Sequence, residues 1–195
     1  MITRLAESIA LFFVQNNIVG KEDTEVYAYG VELLLSAVCN ITVAMLLAAI
    51  SQEFFSTVVF LMVFMLFRQN VGGFHAKTHL GCNSILALVL ILFHIICKCI
   101  SPVSMQLFCF VSITLSDIMI FFHAPVEHPN KPISKKQNAK LRIRSRVLVG
   151  AFTFAVLLLI IMDSYKTAFW ISYAVIVVAI SMEIEYMVRF IKERS

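Results

Sequence analysis

The stretch from Arg68 to Asn83 holds the residues best suited to chemistry, with Gly72-Gly73, His75, His79, Gly81 and Cys82 in quick succession. His75 offers a proton acceptor and Cys82 a soft nucleophile. An ordinary thiol, with a pKa of about 8.5, is only slightly ionised at neutral pH, and a neighbouring imidazole raises its thiolate fraction. Cys and His held together are the minimum equipment for acyl transfer through a thioester. Gly72, Gly73 and Gly81 are costly in a helix and useful where backbone must bend or approach a substrate closely.

Two other readings compete on these residues alone. In one, the Cys and His simply pack. In the other, His75, His79 and Cys82, spaced i, i+4 and i+7, line one face of an ideal helix and suit a zinc ion. No Glu or Asp occurs between Glu53 and Asp117 to act as a fourth ligand or base, so no metal and no cofactor is assigned. For acyl transfer, His79 is a surface residue or an alternative base three residues from Cys82. Geometry separates the readings. In an unbroken helix Cys82 lies about 10.5 Å beyond His75 along the axis, too far for contact. A catalytic pair requires the chain to bend, with Gly72-Gly73 and Gly81 as relief points. His75 then sits in a loop or at a helix start. Cys82 sits at or near the N-terminus of the next helix, where the dipole favours negative charge, with sulfur and imidazole within ~4–5 Å.

The elements that hold this segment are membrane spans. Of 195 residues, 60% are hydrophobic and 14% charged, with mean hydropathy +0.89; a soluble domain carries about 25% charged residues. Crossing ~30 Å of hydrocarbon takes about 17–25 apolar residues. Spans are expected at about 31–50, 53–68, 83–100, 103–123, 147–163 and 167–187, with tight turns at 51–52, 101–102 and 163–166. The fold class is all-α: a polytopic membrane protein of about six transmembrane helices, read as a single domain over 1–195. Residues 1–19 are interrupted by Glu7, Gln15, Asn16 and Asn17, while Ile2, Leu5, Ile9, Phe12 and Phe13 share a helical face. This predicts an amphipathic helix lying in the interface, not a seventh span or a cleavable signal.

Charge sets the orientation. Fourteen Lys and Arg residues fall on one side of these spans and only Lys98 and Lys166 on the other. Basic residues stay in the cytoplasm, so both termini and the 69–82 and 124–146 loops are expected there, in a cell membrane. Five cysteines, four of them inside apolar runs, are no disulfide framework. Asp117, within the fourth span, is a candidate acid to orient His75, with a nearby hydroxyl or basic group as its other natural partner. Glu183 and Glu185 read as interfacial charges, His94 and Lys98 as packed or snorkelling.

On Arg68, Gly72, Gly73, His75, Ala76 and Cys82, in that order and spacing, the chain resembles the accessory gene regulator B family, membrane cysteine endopeptidases of Gram-positive quorum sensing. Size, six-span hydropathy and the basic segment before the fifth span extend the resemblance along essentially the whole chain. The resemblance implies that His75 and Cys82 are base and nucleophile. The substrate would be an amphipathic signal propeptide with an acidic C-terminal tail, cut near its C-terminus and cyclised to a thiolactone or lactone. Arg68, Gly72, Gly73, Lys131, Lys135 and Lys136 are assigned to substrate binding. The run Glu127-His128-Pro129-Asn130 before Lys131 departs from the consecutive lysines of some members, so the carry-over there covers Lys131 and Pro132. The basic segment also serves topology and anionic headgroups. It lacks the interleaved aromatics of a nucleic-acid site, so no nucleic-acid partner is assigned. A homodimer is left open by the spacing, since the His could come from a second protomer. The alternative function is a small transporter or exporter component, with Asp117 and His94 along its path.

Overall fold

The computed structural model describes residues 2–16, 18–74, 79–126 and 134–194. Among these, seven α-helices account for nearly all of the chain: α1 (Ile2–Gln15), α2 (Thr24–Ser51), α3 (Phe54–Val71), α4 (His79–Cys99), α5 (Pro102–His123), α6 (Lys135–Ile161) and α7 (Tyr165–Arg194). Six of them, α2 to α7, are long and apolar enough to cross a membrane. Leu46, Ile50, Leu107 and Phe154 stand exposed on the outside of the bundle, where hydrocarbon in place of water removes the cost of exposing them.

α7 is the central helix, packed against α3, α5 and α6. Small side chains let it sit there: Ala168, Ala174 and Ala179 are fully buried, as are Phe169, Val178 and Met182. Near its start, Phe169 and Tyr173 join Phe60, Phe93 and Phe108 in one aromatic cluster with centroid separations of 5.0–6.3 Å, distances at which tilted rings attract. The Tyr173 hydroxyl donates to the Val89 carbonyl at 3.2 Å and fastens α4 to α7. Other hydroxyls in the spans bond within their own helix: Ser112 donates to the Cys109 carbonyl and Ser116 to that of Ser112.

α1 is the amphipathic helix expected. Ala6 and Ala10, one turn apart, are buried against α2, while Leu5 and Phe12 face outward. Thr3 donates to Glu32 of α2 at 2.7 Å. The turns also fall where expected. Gln52 and Asp163 end α2 and α6 with positive φ of 59° and 57°, and Ser101 caps α5, accepting from the Ser104 amide at 3.2 Å.

Three boundaries differ from the hydropathy reading. α2 begins at Thr24, not near 31; α6 begins at Lys135, not near 147; and α7 runs on to Arg194. Hydropathy marks only the portion in hydrocarbon, whereas a helix continues as long as its residues favour it. Lys, Gln, Ala and Arg are good helix formers, and the Ser134 hydroxyl accepts the Gln137 amide as an N-cap. The basic stretch 135–146, expected as loop, is therefore three turns of helix. Lys136, Lys140, Arg142 and Arg144 are exposed along it.

Candidate functional site

α3 ends at Val71 and α4 begins at His79, so the helix is broken where the glycines stand. Gly72, at φ 86° and ψ −155°, occupies a backbone region open almost only to glycine. It pairs with Val126 in an isolated parallel bridge, in which the Val126 amide donates to the Val71 carbonyl at 3.0 Å. A Cβ on Gly72 would overlap the Val126 carbonyl oxygen, and one on Gly73 (φ 138°) would overlap the Arg68 guanidinium. Both glycines are thus dictated by close approach of protein to protein.

Cys82 is the fourth residue of α4, in its first turn, and half-buried. Around it a cavity of about 130 Å³ opens between α2, α3, α4 and α7. Arg68, Phe74, Ser181 and Asn40 line it with Cys82, while Leu86 and Val89, one and two turns further along α4, give it an apolar floor. Arg68 lies within electrostatic range of both Cys82 and Glu185. Its guanidinium forks: Nη1 donates to Ser181 Oγ at 2.6 Å, and Nη2 donates to the Phe74 carbonyl. The Phe74 amide in turn donates to the Ser181 carbonyl at 2.9 Å and lies 3.2 Å from its hydroxyl. Next to Cys82, Asn83 accepts from Ser36 of α2 at 3.4 Å, a long hydrogen bond.

The structure thus gathers Cys82, Arg68, Gly72 and Gly73 at one end of the bundle. His75 and Lys131 lie outside the described residues. Lys135 opens α6 and Lys136 is exposed in its first turn. Asp117 faces α6, where its two carboxylate oxygens accept from the Thr153 hydroxyl at 2.8 and 3.0 Å. His94 is buried, with Nε2 2.7 Å from the Thr57 hydroxyl. Glu185 is also buried, 3.6 Å from Arg189, and Glu183 meets His123 Nδ1 at 2.6 Å. These carboxylates pair within the bundle end, beyond the interfacial role that their sequence position implies.

The same end is laced together by further contacts. Ser145 donates to the Asn70 carbonyl at 2.9 Å, and Arg146 donates to the Phe121 carbonyl at 3.0 Å while lying over the Phe121 ring. Sequence reasoning passed over Ser181, Phe74 and Val126. Ser181 had a signal: a lone hydroxyl in the apolar run Ala179-Ile180-Ser181-Met182 needs a partner inside the protein. Phe74 and Val126 had none, because their roles are backbone roles.

No curated protein and no solved structure matches the chain. A family model, that of accessory gene regulator B, matches residues 6–185 and so takes in the first five spans, most of the sixth, the broken helix and Cys82. The chain belongs to the accessory gene regulator B family, with a peptide-processing role in the agr quorum-sensing system.

Proposed function

We propose that this protein is a cysteine endopeptidase that cuts the C-terminal tail from a signal propeptide through a thioester and promotes cyclisation of what remains. The observation carrying the reading is the helix break between Val71 and His79, which sets Cys82 in the first turn of α4 beside a cavity. In that reading the Cys82 proton passes to His75 as sulfur attacks the scissile carbonyl carbon. The C–N bond then breaks, and the tail leaves as an amine carrying the proton from His75. A thiol or hydroxyl of the bound propeptide next attacks the thioester. It gives its proton to His75, and Cys82 leaves as thiolate and is reprotonated. Cyclisation outruns hydrolysis because the internal nucleophile is held close and water is scarce at the bilayer boundary. The apolar floor of the cavity suits a hydrophobic side chain of the amphipathic substrate.

The distribution of charge supports an orientation. Arg68, Arg146 and Arg189 fall at the end of the bundle that carries Cys82, whereas Lys98 and Lys166 line a pocket together at the other. We place the basic end, with both termini, in the cytoplasm. There Lys131, Lys135 and Lys136 meet the acidic tail of the propeptide.

The test is co-expression with an amphipathic signal propeptide bearing an acidic C-terminal tail, followed by mass spectrometry of the intact protein. A mass adduct of the propeptide N-terminal fragment on Cys82 is expected, and uncut propeptide with Cys82→Ala. Normal cutting by Cys82→Ala would overturn the proposal.

A further inference from the structure

We infer that Ser181 is a positioning residue for the reaction: from α7 it fixes Arg68 and the Phe74 backbone at the mouth of the Cys82 cavity. The inference rests on the peptidase reading above.

Hydroxyls inside a span usually bond back to their own helix, as Ser112, Thr114 and Ser116 do. Ser181 does not. It accepts from Arg68, 113 residues earlier in the chain, at 2.6 Å, and lies 3.2 Å from the Phe74 amide. Its own carbonyl takes that same amide at 2.9 Å. Arg68 closes the circuit by donating to the Phe74 carbonyl. Both polar backbone groups of Phe74 are therefore held by Ser181 and Arg68. The next residue in the chain is His75, the base in the proposed reaction.

The geometry demands these residue types. Lysine carries its donors on one nitrogen and lacks the rigid planar fork with which Nη1 and Nη2 of Arg68 address the hydroxyl and the carbonyl separately. Glycine is favoured at 73 by its φ of 138°, and a Cβ there would displace the guanidinium from its present place. Glu185 stands one turn beyond Ser181 on α7, buried and within electrostatic range of Arg68. Removing the Ser181 hydroxyl leaves Arg68 Nη1 without its acceptor and loosens the guanidinium's hold on the Phe74 carbonyl, while the bond from the Phe74 amide to the Ser181 carbonyl remains. A shift of about 1 Å at a reacting group costs up to about 100-fold in rate.

The experiment uses the full-length protein in lipid vesicles with the synthetic propeptide. Ser181→Ala should lower kcat by about 10- to 100-fold with KM nearly unchanged, and should speed hydrogen exchange of the amides in the 69–74 stretch. Ser181→Thr, which keeps the acceptor, should restore both. Arg68→Lys should behave like Ser181→Ala and serves as the second variant if that protein fails to fold. A raised KM with kcat unchanged would make Ser181 a substrate contact and overturn the inference. Unchanged exchange with unchanged rate would overturn it equally. The exchange readout is independent of the reaction: if exchange responds but wild-type protein processes propeptide with no Cys82 adduct, the peptidase reading fails. Ser181 is then a fastening only, and its role in positioning the reaction falls with that reading.

Discussion

Replacing Gly72 with alanine tests the broken helix directly. At φ 86° and ψ −155°, Gly72 lies where an L side chain costs about 1–3 kcal/mol. The added Cβ would also overlap the carbonyl oxygen of Val126 and lie 3.3 Å from its carbonyl carbon. These are backbone atoms, so no rotamer change relieves the clash. Moving the two segments apart breaks the 3.0 Å bond from the Val126 amide to the Val71 carbonyl, worth about 0.5–1.5 kcal/mol. The sum is about 1.5–4.5 kcal/mol of destabilisation. For a chain of this size that lowers Tm by about 3–18 °C. The assay is thermal unfolding followed by circular dichroism in detergent. Gly30→Ala is the control: Gly30 lies within α2 with nothing within 4 Å of the added carbon, so this change should be neutral or stabilise by about 0.5–1 kcal/mol. If Gly72→Ala unfolds at the wild-type temperature and processes propeptide normally, the close approach of Gly72 to Val126 does not hold the turn and the argument fails.

Four further outcomes can be measured. Thr153→Val strips Asp117 of its donor within the bundle and should destabilise the protein by about 1–3 kcal/mol in the same melt. Asp117→Asn keeps an acceptor for Thr153 and should keep processing; a folded but inactive variant would return Asp117 to the role of orienting acid. Neutralising Lys131, Lys135 and Lys136 together should weaken binding of the acidic-tailed propeptide and flatten its salt dependence, since exposed charges are screened beyond ~8–10 Å. Normal processing at every salt concentration would leave those lysines to topology. Finally, in a cysteine-free background an impermeant thiol reagent added outside cells should label Lys166→Cys and spare Arg142→Cys. The reverse pattern would invert the orientation.

What could be read from the sequence divides along physical lines. Spans were legible because hydrocarbon demands long apolar runs, and the break before Cys82 because glycines have no other economical use at the end of such a run. The amphipathic α1 showed in its spacing of Leu5, Phe12 and Phe13. Helix ends were less legible: the Lys135–Arg146 stretch is too polar to register as span and too good a helix former to be loop. The partners of Arg68 were hidden for a different reason. Ser181 lies on another helix, and nothing local to residues 68–83 encodes which span will pack beside them. Asp117 was recognisable as needing a partner, but only three-dimensional packing selects the Thr153 hydroxyl.

The tie between Phe74 and α7 also bears on how the protein is made. Spans enter the membrane in chain order, and α7, which anchors the turn after α3, follows both α3 and α4. A chain still under synthesis, or cut short before Ser181, holds Cys82 and His75 but not the hydroxyl and carbonyl on which the turn is hung. On the proposed peptidase reading such a chain should be inert toward propeptide, because α7 must be seated beside α3 and α4 before the turn is held.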